Sequence, residues 1–228
     1  NDFYIAEEVT IKGASETSSE KRPDLLIYVN GIALADIELK RSTMSVHNGI
    51  RQNIDSQKKE FIRPFFSPMQ LPCAGNNTEG LWYGVIDTPE KFWLRWKESN
   101  PEVSNELDRS TLQLFNKERF LEFIHDFMIY DGGIKKACRP NQYFAVKAAQ
   151  PRVRKKDSGI IWEAQGSGKS LIMVWLAQWI HENVNDARVV IITDREELDA
   201  QIEDNFKNAG ETIKRAKSGE DLITTLND

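Results

Sequence analysis

The stretch IIWEAQGSGKSLIMVW, residues 160–175, restricts the fold more than any other part of this chain. It is an apolar run, a loop with two glycines that ends in Lys-Ser, and a second apolar run. Gly166 and Gly168 allow torsions and a close backbone approach that a side chain would block. Successive N–H groups of such a loop turn inward around an anion. A helix that begins at the loop adds the positive end of its dipole. Gly166, Ser167 and Gly168 are therefore candidates to cradle the phosphates of a nucleotide. Lys169 would place a mobile cation on the outer phosphates, and the Ser170 hydroxyl would reach a magnesium ion. Glu163 stands where the full pattern has Gly or often Ala.

The surroundings fit that reading. The pattern predicts a strand at 158–162, a helix from Ser170 to about Asn183, a strand at 187–193 and a helix at 196–208. Strand–loop–helix–strand–helix opens a parallel α/β sheet. A helix is expected at 141–149, followed by a basic loop. From Ile134 to Asp157 there are eight Lys or Arg and one acid. GEDLITTL, near the end, reads as a helix. No apolar run ending in Asp-Glu follows the loop, so the acid a motor needs to hold magnesium is expected outside these residues.

The first 130-odd residues carry a second pattern. In LLIYVNGIALADIEL two β-rich runs flank Asn30-Gly31, a strong hairpin signal, with YIAEEVTI as a companion strand. Residues 49–62 are expected to form a polar helix near that sheet, and 63–88 loops with short strands such as LWYGVI. Thr88-Pro89-Glu90 signals a helix start ahead of KFWLRWKE. NKERFLEFIHDFMIY reads as an amphipathic helix ended by Asp131-Gly132-Gly133, which is taken as the domain boundary. Two domains are expected, 1–133 and 134–228.

Glu38 and Lys40 lie two apart on one strand and so share a face. With Asp24 on the partner strand, two carboxylates could hold a divalent metal, with a lysine beside them. This is the acid–x–acid–x–lysine logic of PD-(D/E)xK nucleases. The geometry sets a condition. A strict two-residue turn pairs Asp24 with Ile37 and puts Asp24 and Glu38 on opposite faces. The expectation is therefore a three-residue loop, a bulge with Gly31 left-handed, or Asp24 outside the regular ladder. Asp36 is either a neighbour of the metal or a solvated charge. Glu7 or Glu8 could add a carboxylate near the metal, but both read more readily as surface charges of the companion strand.

Composition excludes several classes. The net charge is −5, so there is no overall basic footprint for nucleic acid. Two distant cysteines suggest reduced thiols and a cytoplasmic protein, and the three histidines show no zinc spacing. No apolar run is long enough for a membrane. The chain begins at Asn1 and reads as a fragment of a longer protein.

Taken in order, the motifs resemble the motor/restriction (R) subunit of type I restriction–modification enzymes. RPDLLIYVNGIALADIELKRS is similar to the nuclease core of that family. RPNQYFAV, EAQGSGKS and IITDREELDAQI are similar to the start of its first motor lobe, the first of them being its Q-motif. The resemblance implies an α/β protein: a PD-(D/E)xK mixed sheet with helices, then the first part of a RecA-like lobe with a parallel sheet. It implies catalytic Asp24, Glu38 and Lys40, with Asp24 and Glu38 on the nuclease magnesium. Gln142 would read the adenine of ATP, and Ser170 would hold the magnesium of the nucleotide. The family carries a glutamine–x–x–x–tyrosine element; Gln52 fits its first position, but Ser56 stands where tyrosine is expected. The implied partners are double-stranded DNA and the methyltransferase and specificity subunits. Two alternatives remain: another superfamily 2 nuclease-helicase, as in type III restriction or repair, and a non-catalytic docking module with a nucleotide switch.

Overall fold

In the computed structural model all residues are described except Ala14, residues 16–18, Pro101, Lys217 and Asp228, with the backbone alone of Asn227. The chain divides into two compact units: Asn1–Met128 with Lys135–Pro140, and Ile129–Ile134 with Asn141–Asp228.

The first unit is built on a six-stranded sheet whose order follows the sequence: β1 (Phe3–Glu7), β2 (Leu25–Val29), β3 (Ile32–Leu39), β4 (Leu71–Asn76), β5 (Gly80–Tyr83) and β6 (Leu94–Arg95). All neighbours are antiparallel except β3 and β4, which run parallel. A parallel pair needs a crossover connection, and the expected polar helix supplies it as α1 (His47–Ser56). Side chains alternate across the sheet, so β4 meets a helix on each face. Ala74 packs with Val46 and Ile50 of the crossover. Gly75 lies under Leu107 of α2 (Glu106–Leu114), where an added Cβ would run into the leucine methyl. An aromatic cluster of Tyr83, Trp96 and Phe123 seats α3 (Lys117–Asp126) in the same unit.

Several expectations change here. The buried strand at 71–76 lies inside the stretch read as loops, its Pro72 and Gly75 having masked it. Thr88-Pro89-Glu90 starts only a 3₁₀ turn, Glu90–Phe92, because the Thr88 hydroxyl accepts from Val85 N–H at 3.0 Å instead of capping. The chain then extends into β6, with Trp93 and Trp96 buried on either side of it. The amphipathic helix ends at Asp126, and Gly132-Gly133, both at positive φ, turn a hairpin between β7 (Met128–Asp131) and β8 (Ile134–Ala137).

The second unit is helical: α4 (Pro140–Lys155), α5 (Lys169–Asn183), α6 (Glu196–Asn208) and α7 (Gly219–Asn227). The last three match their predicted spans. The first runs on through Pro151, so Arg152, Arg154 and Lys155 of the expected basic loop form its last turn. The predicted strands at 158–162 and 187–193 carry no ladder among the described residues. Ile160 and Trp162 are 89% and 92% exposed. A strand of a parallel sheet is read from its apolar run but exists only through its neighbours, and these runs have none here. The unit's core is instead Val174, Ala177, Ile202 and Phe206, between α5 and α6. Among the described residues no helix is long and apolar enough to cross a membrane.

Candidate functional site

The hairpin uses a two-residue turn, with Asn30 and Gly31 both left-handed at φ 51° and 81°. Next to the turn Val29 faces Ile32 and Tyr28 faces Ala33; beyond it Ile27 faces Ala35 and Leu25 faces Ile37. Leu34 is therefore the extra residue of a bulge in β3, and its carbonyl accepts from Gln70 N–H at 2.8 Å. The bulge shifts the register by one, in the opposite direction to a longer turn. Asp24, one residue before the ladder, then stands opposite Glu38 on the same face. The face-sharing condition is met through a bulge away from the turn, and the three-residue loop is not formed.

Asp24 Oδ2 accepts from Leu39 N–H at 2.7 Å. Glu38 is 2% exposed. Burial, the Asp24 charge and a hydrogen bond to Asp24 push its carboxyl up to about 7, against the opposing pull of Lys40. Lys40 Nζ lies 3.7 Å from Glu38 Oε2. Gln52, from the crossover helix, joins the two: its Nε2 donates to Glu38 Oε2 at 2.6 Å, and its Oε1 accepts from Lys40 Nζ at 2.8 Å. Gly49 of the same helix sits over this strand, its Cα so close that an added Cβ would stand 3.4 Å from Lys40 Cγ. Asp24, Glu38, Lys40 and Gln52 are thus brought together. Ser56, at the position where the family carries tyrosine, turns its hydroxyl back to the Gln52 carbonyl at 3.0 Å. Glu8 stays outside, exposed and 3.5 Å from Arg22.

Asp36 is 1% exposed, so it is not a solvated charge. Burial and then the Glu38 charge hold its carboxyl well above the usual range. Its Oδ2 accepts from Asn53 Nδ2 at 2.6 Å, and Oδ1 is buried without a partner among the described residues. Asn53 and Gln57, with Ser56, form a buried polar stripe on the helix that residue pattern alone does not single out as part of a site. A signal for it exists: Gln52, Asn53, Ser56 and Gln57 sit one turn apart on the helix face that must meet the sheet.

In the second unit the glycine loop leads into α5 with Gly168 at φ 83° as the residue before the helix. Gln142 is buried, and its Nε2 donates to the carbonyls of Ser167 and Gly168, both at 3.1 Å. A Cβ at Gly168 would collide with that nitrogen, whereas Gly166 faces open space. Lys169 folds back on the loop, Nζ to the carbonyls of Glu163 and Ala164 at 3.1 and 3.0 Å. Glu163, the departure from the motif, receives Asn141 Nδ2 at 3.0 Å. Ser167 Oγ is buried without a partner among the described residues. Gln142, Gly166, Ser167, Gly168, Lys169 and Ser170 are one contiguous cluster.

Two separate stretches of the chain match known families. Residues 1–91 match the family described as type I restriction enzyme R protein N terminus, and residues 141–228 match the SWI2/SNF2 ATPase family. A putative type I restriction enzyme endonuclease subunit of Methanocaldococcus jannaschii is 28% identical over 253 residues, covering 96% of this chain and 24% of the relative. Counterparts from Staphylococcus aureus and Staphylococcus saprophyticus are 25% and 26% identical, each covering all of this chain and 25% of the relative. The chain spans about a quarter of the length of the curated relatives it matches.

Proposed function

We propose that this chain, similar over residues 1–91 to the type I restriction enzyme R protein N terminus and along its whole length to endonuclease subunits of such enzymes, carries the DNA-cleaving site and the ATP phosphate loop of a type I restriction enzyme. On this reading residues 1–133 are the nuclease domain and 134–228 begin the first motor lobe. The whole enzyme translocates double-stranded DNA at the expense of ATP and cuts it away from the recognition site. It works in the cytoplasm beside methyltransferase and specificity subunits.

The observation that carries the reading is the bulge at Leu34, which sets Asp24 opposite Glu38 with Lys40 and Gln52 at hand. The donor set fits Mg²⁺: a hard cation takes one or two carboxylates and fills the rest of its shell with water and phosphate oxygens. Two carboxylates facing each other, one held up to about 7, are a charge conflict that a cation relieves. When bound, the metal would activate water and stabilise charge at the scissile phosphate. The chain's own residues do the rest. Asp24 and Glu38 would hold the ion, with Asp24 fixed by the Leu39 N–H. Lys40 offers a cation to the phosphate oxygens, and Gln52 keeps it aligned with Glu38. At the loop, Lys169 would leave its two carbonyls for the outer phosphates of ATP, and Ser170 would take the nucleotide's Mg²⁺. The basic last turn of α4 suits duplex backbone, a contact that weakens with salt.

The test is a Mn²⁺ titration by calorimetry of wild type and Glu38→Ala, followed by a nicking assay on duplex DNA. Loss of metal binding and of nicking together supports the reading. Binding that survives Glu38→Ala removes the metal from the hairpin and leaves docking as the role of the first unit.

A further inference from the structure

The crossover helix is held to the sheet by a second hydrogen-bond series that the proposed chemistry does not use. Asp87 N–H donates to Gln57 Oε1 at 2.9 Å, Gln57 Nε2 donates to Asn53 Oδ1 at 3.0 Å, and Asn53 Nδ2 donates to Asp36 Oδ2 at 2.6 Å. The starting point is anchored. Asp87 sits at φ 63°, a conformation side chains rarely adopt, and its carboxylate takes both arms of Arg63 at 2.5 and 2.7 Å. Arg63 in turn donates to the Gln57 carbonyl at 3.3 Å.

The series has one direction. A backbone N–H can only donate, so Gln57 must present its oxygen to Asp87 and its NH₂ to Asn53. Asn53 must then present its NH₂ to Asp36. Asn53, Ser56 and Gln57 are all buried. Apolar side chains would bind the helix to the sheet without direction and tolerate a small slide or roll. Hydrogen bonds lose strength steeply with distance and angle, so this series fixes both. Gln52 lies one residue before Asn53, and its two bonds to Glu38 and Lys40 need that fix.

We propose that Gln57 is a positioning residue for the metal site: through Asn53 it sets the rotation of the helix that presents Gln52 to Glu38 and Lys40. The inference rests on the hairpin site being the metal site. A partner bonded directly to a metal ligand, as Gln52 is to Glu38, is worth about tenfold or more in metal affinity, and Gln57 acts on that partner through the helix. Its placement, at the wall of a surface cleft of about 460 Å³ with Arg63 and Asp87, lets it be changed without entering the site.

The test is Mn²⁺ calorimetry on the full chain, comparing wild type, Glu38→Ala, Gln57→Glu and Gln57→Leu, with thermal unfolding recorded for each. Gln57→Glu keeps the volume and the acceptor for Asp87 but puts an oxygen against Asn53 Oδ1, which reverses the series. The expected result is a Mn²⁺ Kd raised about tenfold in Gln57→Glu, with the variant folded. Gln57→Leu is expected to shift it less, since it removes the constraint without reversing it. A Gln57→Glu Kd equal to wild type overturns the proposal, as does loss of the fold in that variant, because the residue then serves the domain as a whole. Mn²⁺ binding unchanged in Glu38→Ala would instead reject the site itself.

Discussion

The glycine loop and the hairpin site solve the problem of gathering polar groups in opposite ways. The loop is one run of eight residues, joined by Gln142 from the helix before it, and its partners are mostly main-chain carbonyls. The hairpin site draws on residues 24, 38, 40 and 52, which meet only through a strand register and a helix seated by a crossover. The difference shows in the electrostatics. Buried carboxylates at 36 and 38 are pushed strongly towards their neutral forms. Lys169 stays near the surface, held by neutral oxygens it can leave. A local motif can leave its charged group at the surface; a site assembled across a sheet buries its carboxylates.

The largest effect that separates the two sites is expected at Glu38. Glu38→Ala should abolish Mn²⁺ binding at the hairpin while leaving the ATP affinity of the loop at its wild-type value, both read by titration. Equal effects on the two would deny that the sites are built separately.

A second test concerns stability. The folded Glu38 carboxyl titrates at about 7 against 4.5 in the unfolded chain, so the folded state holds its proton more tightly. Stability therefore falls as pH rises from about 4.5 to about 7 and is level above, a loss of about 3 kcal/mol. Asp36 shifts in the same direction. Glu38→Gln should remove the Glu38 part of that slope and be more stable than wild type above pH ~7, though it no longer binds metal. Denaturant unfolding across pH checks this; an unchanged slope would mean that Glu38 is not the group responsible.

In the loop, Lys169→Ala should weaken ATP binding by about 1.5–3 kcal/mol, the worth of a hydrogen bond made by a charged group, with no change in the pH slope of stability. A fluorescent nucleotide titration reads it. The smallest effect separates two glycines of one motif. Gly166→Ala costs only the left-handed conformation, about 1 kcal/mol, because its surroundings are open. Gly168→Ala costs more, since the methyl meets Gln142 Nε2. Equal unfolding midpoints for the two would show that Gln142 does not press on the loop.

Much of this was legible in the sequence. The chemistry of QGSGKS is written in consecutive residues, and three helices of the second unit match their predicted spans. The Asn30-Gly31 hairpin was equally plain. The predicted strands at 158–162 and 187–193 were not formed, since an apolar run specifies burial but not the partner that makes it a strand. The strand at 71–76 was hidden by Pro72 and Gly75, which the parallel neighbour and the Leu107 packing accommodate.

The order of amino acids alone settles which residue types the two sites contain: two acids, a lysine and a glutamine in one, glycines, a lysine and a serine in the other. That Asp24 faces Glu38 is a matter of folding in three dimensions. One extra residue at Leu34 inverts the face-sharing of everything beyond it, because side-chain period in a strand is two. Packing likewise makes Asn53 and Gln57 part of the hairpin site's support. Their polar spacing marks one helix face in the sequence, but their roles come from the surface that face is laid against.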